Sequence, residues 1–102
     1  MNEPRLRENM IKSIQEAVAH LFGVPVEELR QENNSRVVVV PRQIAMFLTK
    51  QLTDASLSDI GRHFGGRHHT TVMHSIARIQ ELRRSDPALD RTLTKLLREF
   101  AP

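Results

Sequence analysis

Apolar residues in the first third of the chain recur at helical intervals. Ile11, Ile14, Val18, Leu21 and Phe22 follow one another three or four apart, which predicts a helix from Asn9 with one buried face. Gly23 and Pro25 end it, because glycine suits the position after a helix and proline biases its predecessor away from helical backbone. Residues 26–31 leave room for one or two turns, with Leu29 as the inward anchor. Residues 1–8 are polar, contain a proline and read as a linker or a disordered, frayed start, which leaves 9–101 as one folded domain. The run "NNSRVVVV" then breaks the rhythm. Four valines suit a strand, yet no second convincing strand exists to satisfy its backbone, so 32–40 reads as an extended loop with some valines tucked onto the helices.

Pro41 suits a first helical turn, and Ile44, Ala45, Leu48 and Leu52 mark the buried stripe of a helix over 41–53 that Met46 and Phe47 widen. Ser56 is placed to cap the next helix, with Asp59 three residues on as its acidic partner. Leu57, Ile60 and Phe64 give that helix an inward side, and Gly65 with Gly66 stops it. A longer helix over about 68–84 carries Val72, Met73, Ile76, Ile79 and Leu82 inward. Asp86 and Pro87 open the last helix, which buries Leu89, Leu93, Leu96, Leu97 and Phe100. The pattern predicts an all-α bundle of six helices, one very short, without a sheet. Its segments from 56 to 84 have the outline of a helix-turn-helix, two amphipathic helices joined by a glycine turn.

Length and composition narrow the class. A chain of 102 residues supports one modest core, and without cysteine that core depends on packing rather than disulfides or thiolate zinc. The longest apolar run is four valines and the start lacks the apolar stretch of a signal peptide, so neither a membrane span nor export is expected, and the cytoplasm is the default compartment. The formal charge of +3 is unevenly spread. Residues 1–35 hold four basic against six acidic side chains, residues 36–84 eight against three, and the tail three against three. A polyanion is expected against the middle of the chain.

That middle contains "GGRHHTTVMHS". Arg67, His68, His69, Thr70, Thr71, His74 and Arg78 lie before or around the apolar stripe, where a second helix of such a motif faces a major groove. Threonine offers a hydroxyl and a methyl to base edges, histidine donates to phosphates or base acceptors, and free amides at the helix start favour a phosphate. The bland alternative is a plain turn and a solvated helix face. A phosphate loop is disfavoured because no lysine and hydroxyl residue close the glycines and no strand precedes them. Four of the five histidines fall between 63 and 74, but His69 and His74 point about 140° apart on a helix, and no cysteine or convergent carboxylate completes a metal set. No nucleophile, base and orienting group stand at recognisable spacing, so catalysis and a resident cofactor are not expected.

The run "PRQIAMFLTKQLTDASLSDIGRHFGGRHHTTVMHSIARI" resembles the C-terminal DNA-binding domain of the bacterial replication initiator family DnaA, and the likeness extends more loosely from about residue 9. The resemblance implies a DnaA C-terminal, Trp-repressor-like fold and sequence-preferring binding to double-stranded DNA at replication-origin boxes. It implies a recognition helix over about 68–84 in the major groove and the loop 32–40 near the minor groove. Base contacts are then expected from His68, His69, Thr70, Thr71, Asn34 and Arg36, and phosphate contacts from Arg42, Gln43, Lys50, Leu57, Ser58, Arg67, His74 and Arg78. ATP would enter only through an upstream ATPase domain. Other replication-initiation proteins are expected partners, and the isolated domain is expected to be monomeric and nucleoid-associated.

Two departures stand out. His68 takes the place of the family's usual aspartate; histidine is expected to cap poorly and changes the possible base partner. Glu32, Asn33 and Asn34 occupy loop positions where the family has basic residues, leaving Arg36 as the loop's cation and weakening its attraction to a minor groove. These substitutions, with Val37 to Val40 as an apolar patch, keep a second function open: a protein-interaction or regulatory module with altered or lost box specificity.

Overall fold

The computed structural model describes residues 3–101, with side chains from residue 5. Five α-helices and one 3-10 turn follow in order: α1 (Glu3–Phe22), the 3-10 turn (Val26–Arg30), α2 (Arg36–Leu52), α3 (Leu57–His63), α4 (His69–Ser85) and α5 (Pro87–Phe100). No strand occurs among the described residues. The very short helix of the pattern is thus the 3-10 turn, with Leu29 as its buried residue.

Helix α2 is the axis of the bundle and meets α1, α3, α4, α5 and the 3-10 turn. Its residues Ile44 to Thr49 are buried without interruption, the pattern of a helix enclosed on every side. Enclosure leaves Thr49 needing a partner, and its hydroxyl donates to the Ala45 carbonyl at 2.7 Å. Ile11, Ile14 and Val18 of α1, Ile60 and Phe64 of the α3 region, Val72 and Ile79 of α4, and Leu93 of α5 close around it, all fully buried. Gln15, also buried, ties three segments together: its amide donates to the His63 carbonyl at 2.8 Å and its oxygen accepts from Arg30 Nε at 2.8 Å.

The structure departs from the sequence pattern in three places. Residues 3–8, expected as linker, are the first turns of α1, while residues 1 and 2 lie outside the described residues. Pro4 falls in the first turn, where a missing N–H loses no helical bond, and Arg7 anchors the segment by donating to Asp54 at 3.1 Å. More consequential, α2 begins at Arg36, so the valines expected in a loop are helical and Pro41 is the sixth residue of the helix rather than part of its first turn. The ladder loses the bond Pro41 cannot make, and burial of Val38 and Pro41 against the core offsets that loss. Finally, Leu21, Phe22 and Met73 are exposed, at 47%, 37% and 45%, where the pattern placed them inside. Leu89, Leu97 and Phe100 pack at the core's edge, only partly covered.

Candidate nucleic-acid interface

The turn between α3 and α4 is built almost entirely by local rules. Ser56 caps α3: its hydroxyl accepts from the Asp59 amide at 3.0 Å and the Asp59 carboxylate accepts from the Ser56 amide, a complete capping box. The Arg62 guanidinium, foremost, with the side chain and amide of Ser56, holds the Asp59 carboxyl down at about 2. At the other end of α3 a single carbonyl, that of Gly61, receives the amides of Phe64, Gly66 and Arg67 at 3.2, 3.0 and 2.9 Å. A Cβ on Gly61 would stand 2.0 Å from the Arg67 carbonyl oxygen, so the chain folds back this tightly only over glycine. Gly65 has φ +88° and would push a Cβ to 2.6 Å from the Arg30 carbonyl oxygen, which seats the turn against the end of the 3-10 turn.

The residue that starts α4 corrects an expectation. His68 caps the helix, its Nδ1 accepting from the Thr70 amide at 3.2 Å and standing 2.8 Å from the Thr70 hydroxyl. The imidazole does here what an N-cap carboxylate does elsewhere, because Nδ1 lies close enough to the backbone to reach the second helical amide. Its ring lies against that of His69, with centroids 4.2 Å apart. His68, His69 and Thr71 are exposed and Thr70 is half-buried, so the opening turns of α4 face open solvent. His74, Arg78 and the misplaced Met73 continue this outward side. Arg78 donates to Glu81 at 3.0 Å, a fully surface pair.

The segment 31–35 beside this turn is held by tertiary contacts. Arg42, expected to grip a phosphate, is instead 3% exposed. Its Nε donates to the Leu29 carbonyl at 3.3 Å, and its Nη2 stands within 3.2, 3.0 and 2.6 Å of the carbonyls of Glu28, Gln31 and Asn33. A guanidinium supplies a planar fan of donors and no acceptor, so it suits a bent backbone whose carbonyls have no ladder to join. Burial, and secondarily Arg67, lower the Arg42 pKa from the usual arginine range, while Glu28 opposes them. Arg67, also expected on phosphate, spans the two segments: Nε donates to Phe64 and Nη2 to the Gln31 carbonyl, at 3.0 and 2.8 Å. Gln31 O is therefore shared by both arginines. The Asn33 side chain accepts from the Ser35 amide at 2.9 Å, turning the chain into α2.

These contacts bring the loop to the helix start. Glu32, Asn34, Gly65, Gly66, Arg67 and Thr71 line one recess, and Asn34, Arg42, Gln43, Arg67 and Thr71 are among those that line the next one along. Lys50, Leu57 and Ser58 form a separate group where α2 gives way to α3; Lys50 Nζ donates to the Ala55 carbonyl at 3.1 Å and its side chain remains exposed. Arg36 is exposed in the first turn of α2. Among the described residues no three histidine or carboxylate side chains could hold a metal ion. Met73 is the exposed residue of this outward side that the pattern had placed inside. The stripe Val72, Ile76 and Ile79 places position 73 about 100° off the buried axis, and only its apolar character suggested burial.

Comparison with known proteins returns one family. The family described as the bacterial DnaA protein helix-turn-helix matches residues 11–79. The chromosomal replication initiator protein DnaA of Nitrosospira multiformis is 50% identical over 91 residues, covering 89% of this chain and 19% of the relative. That of Caulobacter vibrioides is 51% identical over 90 residues, covering 88% and 18%. The Enterococcus faecalis protein is 42% identical over 86 residues, covering 84% and 19%. The chain thus spans about a fifth of the length of the curated relatives it matches.

Proposed function

The chain belongs to the bacterial DnaA helix-turn-helix family, and on that premise we propose that it binds double-stranded DNA with sequence preference, as the DNA-contacting module of replication initiation. The observation that carries this is the solvent-facing start of α4, with His69 and Thr71 exposed and Thr71 sharing a recess with Asn34 of the neighbouring loop. In this arrangement α4 enters the major groove, where His69, Thr70 and Thr71 meet base edges and the Met73 methyl meets a thymine methyl. Segment 32–36 lies toward the adjoining minor groove. Asn34 hydrogen-bonds there without adding charge, so this arm contributes less affinity than an arginine would. Lys50, Gln43, Ser58, His74 and the backbone around Leu57 supply the positioning contacts to phosphate. Arg42, 3% exposed, lines the floor of the second recess and braces the loop from there.

Selection from randomised duplexes, followed by titration over a range of salt, tests the reading. An enriched motif, relaxed at one or two positions by Thr71→Ala, is expected, as is a salt slope reduced by about one in Lys50→Ala. Unchanged affinity across the salt range and no enriched motif would end it. A second reading is supported by the carboxylate of Glu32 in the recess and by Val37 and Val40, which are 69% and 39% exposed at the start of α2. On that reading the face contacts another protein, and Val37→Ser abolishes the association while leaving DNA affinity intact.

A further inference from the structure

The histidine cap fixes more than a helix end. An imidazole nitrogen accepts a hydrogen bond only when it carries no proton. The Thr70 amide, 3.2 Å from His68 Nδ1, has only a hydrogen to offer, so Nδ1 bears the lone pair. The Thr70 hydroxyl at 2.8 Å then donates to the same nitrogen. The proton of the neutral ring therefore resides on Nε2, at the ring edge away from the capped backbone, and His68 is exposed with its plane set against His69.

We propose that His68 is a specificity-determining hydrogen-bond donor: its Nε2–H, fixed by the cap on Nδ1, selects a base that presents acceptors in the major groove and rejects cytosine on the strand it faces. The inference rests on the DNA-binding reading above and adds the base class. Guanine presents two acceptors there, N7 and O6, adenine and thymine one each, and cytosine only its amino donor. A fixed donor thus ranks guanine first and cytosine last. The same pairing engages the Thr70 hydroxyl proton, leaving that oxygen as an acceptor toward the groove.

Two substitutions separate capping from donation. Asparagine keeps both, its oxygen capping and its amide donating; aspartate keeps the cap and only accepts. Randomised-duplex selection with the wild type, His68→Asn and His68→Asp is the test, with nitrogen-15 NMR of the His68 ring in the DNA-free protein at mildly alkaline pH. Wild type and His68→Asn are expected to enrich guanine at one position and deplete cytosine by about fivefold to tenfold, the low end of what a good base contact contributes. His68→Asp should shift that position alone to cytosine, and the ring should carry its proton on Nε2. A motif that is the same for wild type and His68→Asp, or a proton found on Nδ1, overturns the inference while leaving DNA binding standing. No motif in any of the three proteins overturns both.

Discussion

The two segments that meet at the candidate interface are made in opposite ways. The α3–α4 turn, residues 56–71, is specified by neighbours in sequence: Ser56 with Asp59, Gly61 with Arg67, His68 with Thr70. The segment 31–35 has local bonds at Asn33 and Ser35, and its Gln31 and Asn33 carbonyls are held by Arg42 and Arg67 reaching them from 9 to 36 residues away. A surface can therefore join one half that is stiff by local design to another that is only as firm as a buried cation makes it. Two arginines that look like phosphate ligands in the sequence have become the internal supports of that second half.

The largest blow to the local half is expected from Gly61→Ala. Its Cβ would meet the backbone of Arg67, costing about 3 kcal/mol or more in denaturant unfolding. A loss under about 1 kcal/mol would mean that the turn can relax and is softer than described. Next is Arg42→Met, which strips the shared donors from four carbonyls and should cost about 2 kcal/mol. Hydrogen exchange sharpens the comparison: amides of 36–40 should lose protection while those of α3 and early α4 keep theirs. If Arg42→Met instead leaves stability and exchange untouched and weakens only DNA binding, Arg42 is a phosphate ligand after all.

Ser56→Ala should cost about 1 kcal/mol through the lost cap, with the change in exchange confined to α3. The smallest effect is electrostatic. The Asp59 carboxyl is held at about 2, below its ordinary 3.8, so its contribution is complete above the unfolded value and disappears as pH falls from there through about 2. Following α3 amide shifts in acid should show this step in the wild type and none in Asp59→Asn, while residues 31–35 remain unaffected by it.

What the sequence disclosed follows the same division. The capping box, the glycine stop, the helix beginning at His69 and the Asp86–Pro87 start of α5 are all readable because each rests on bonds within a few residues. The valine run misled for the converse reason: its local preference is extended, and helix 36–40 exists because Val38 and Pro41 find a core and Arg42 collects the carbonyls before them. Arg42 itself has the charge of a surface residue and the burial of a core one. Met73 has a core residue's chemistry and a solvent-facing position. By its order of residues alone the chain determined an all-helical domain with a helix-turn-helix and the chemistry of its exposed start, since capping, turning and periodicity act over one or two helical turns. Only the tertiary structure decided where α2 begins and which arginines are supports, because a buried donor and a covered valine are each set by the atoms that pack against them.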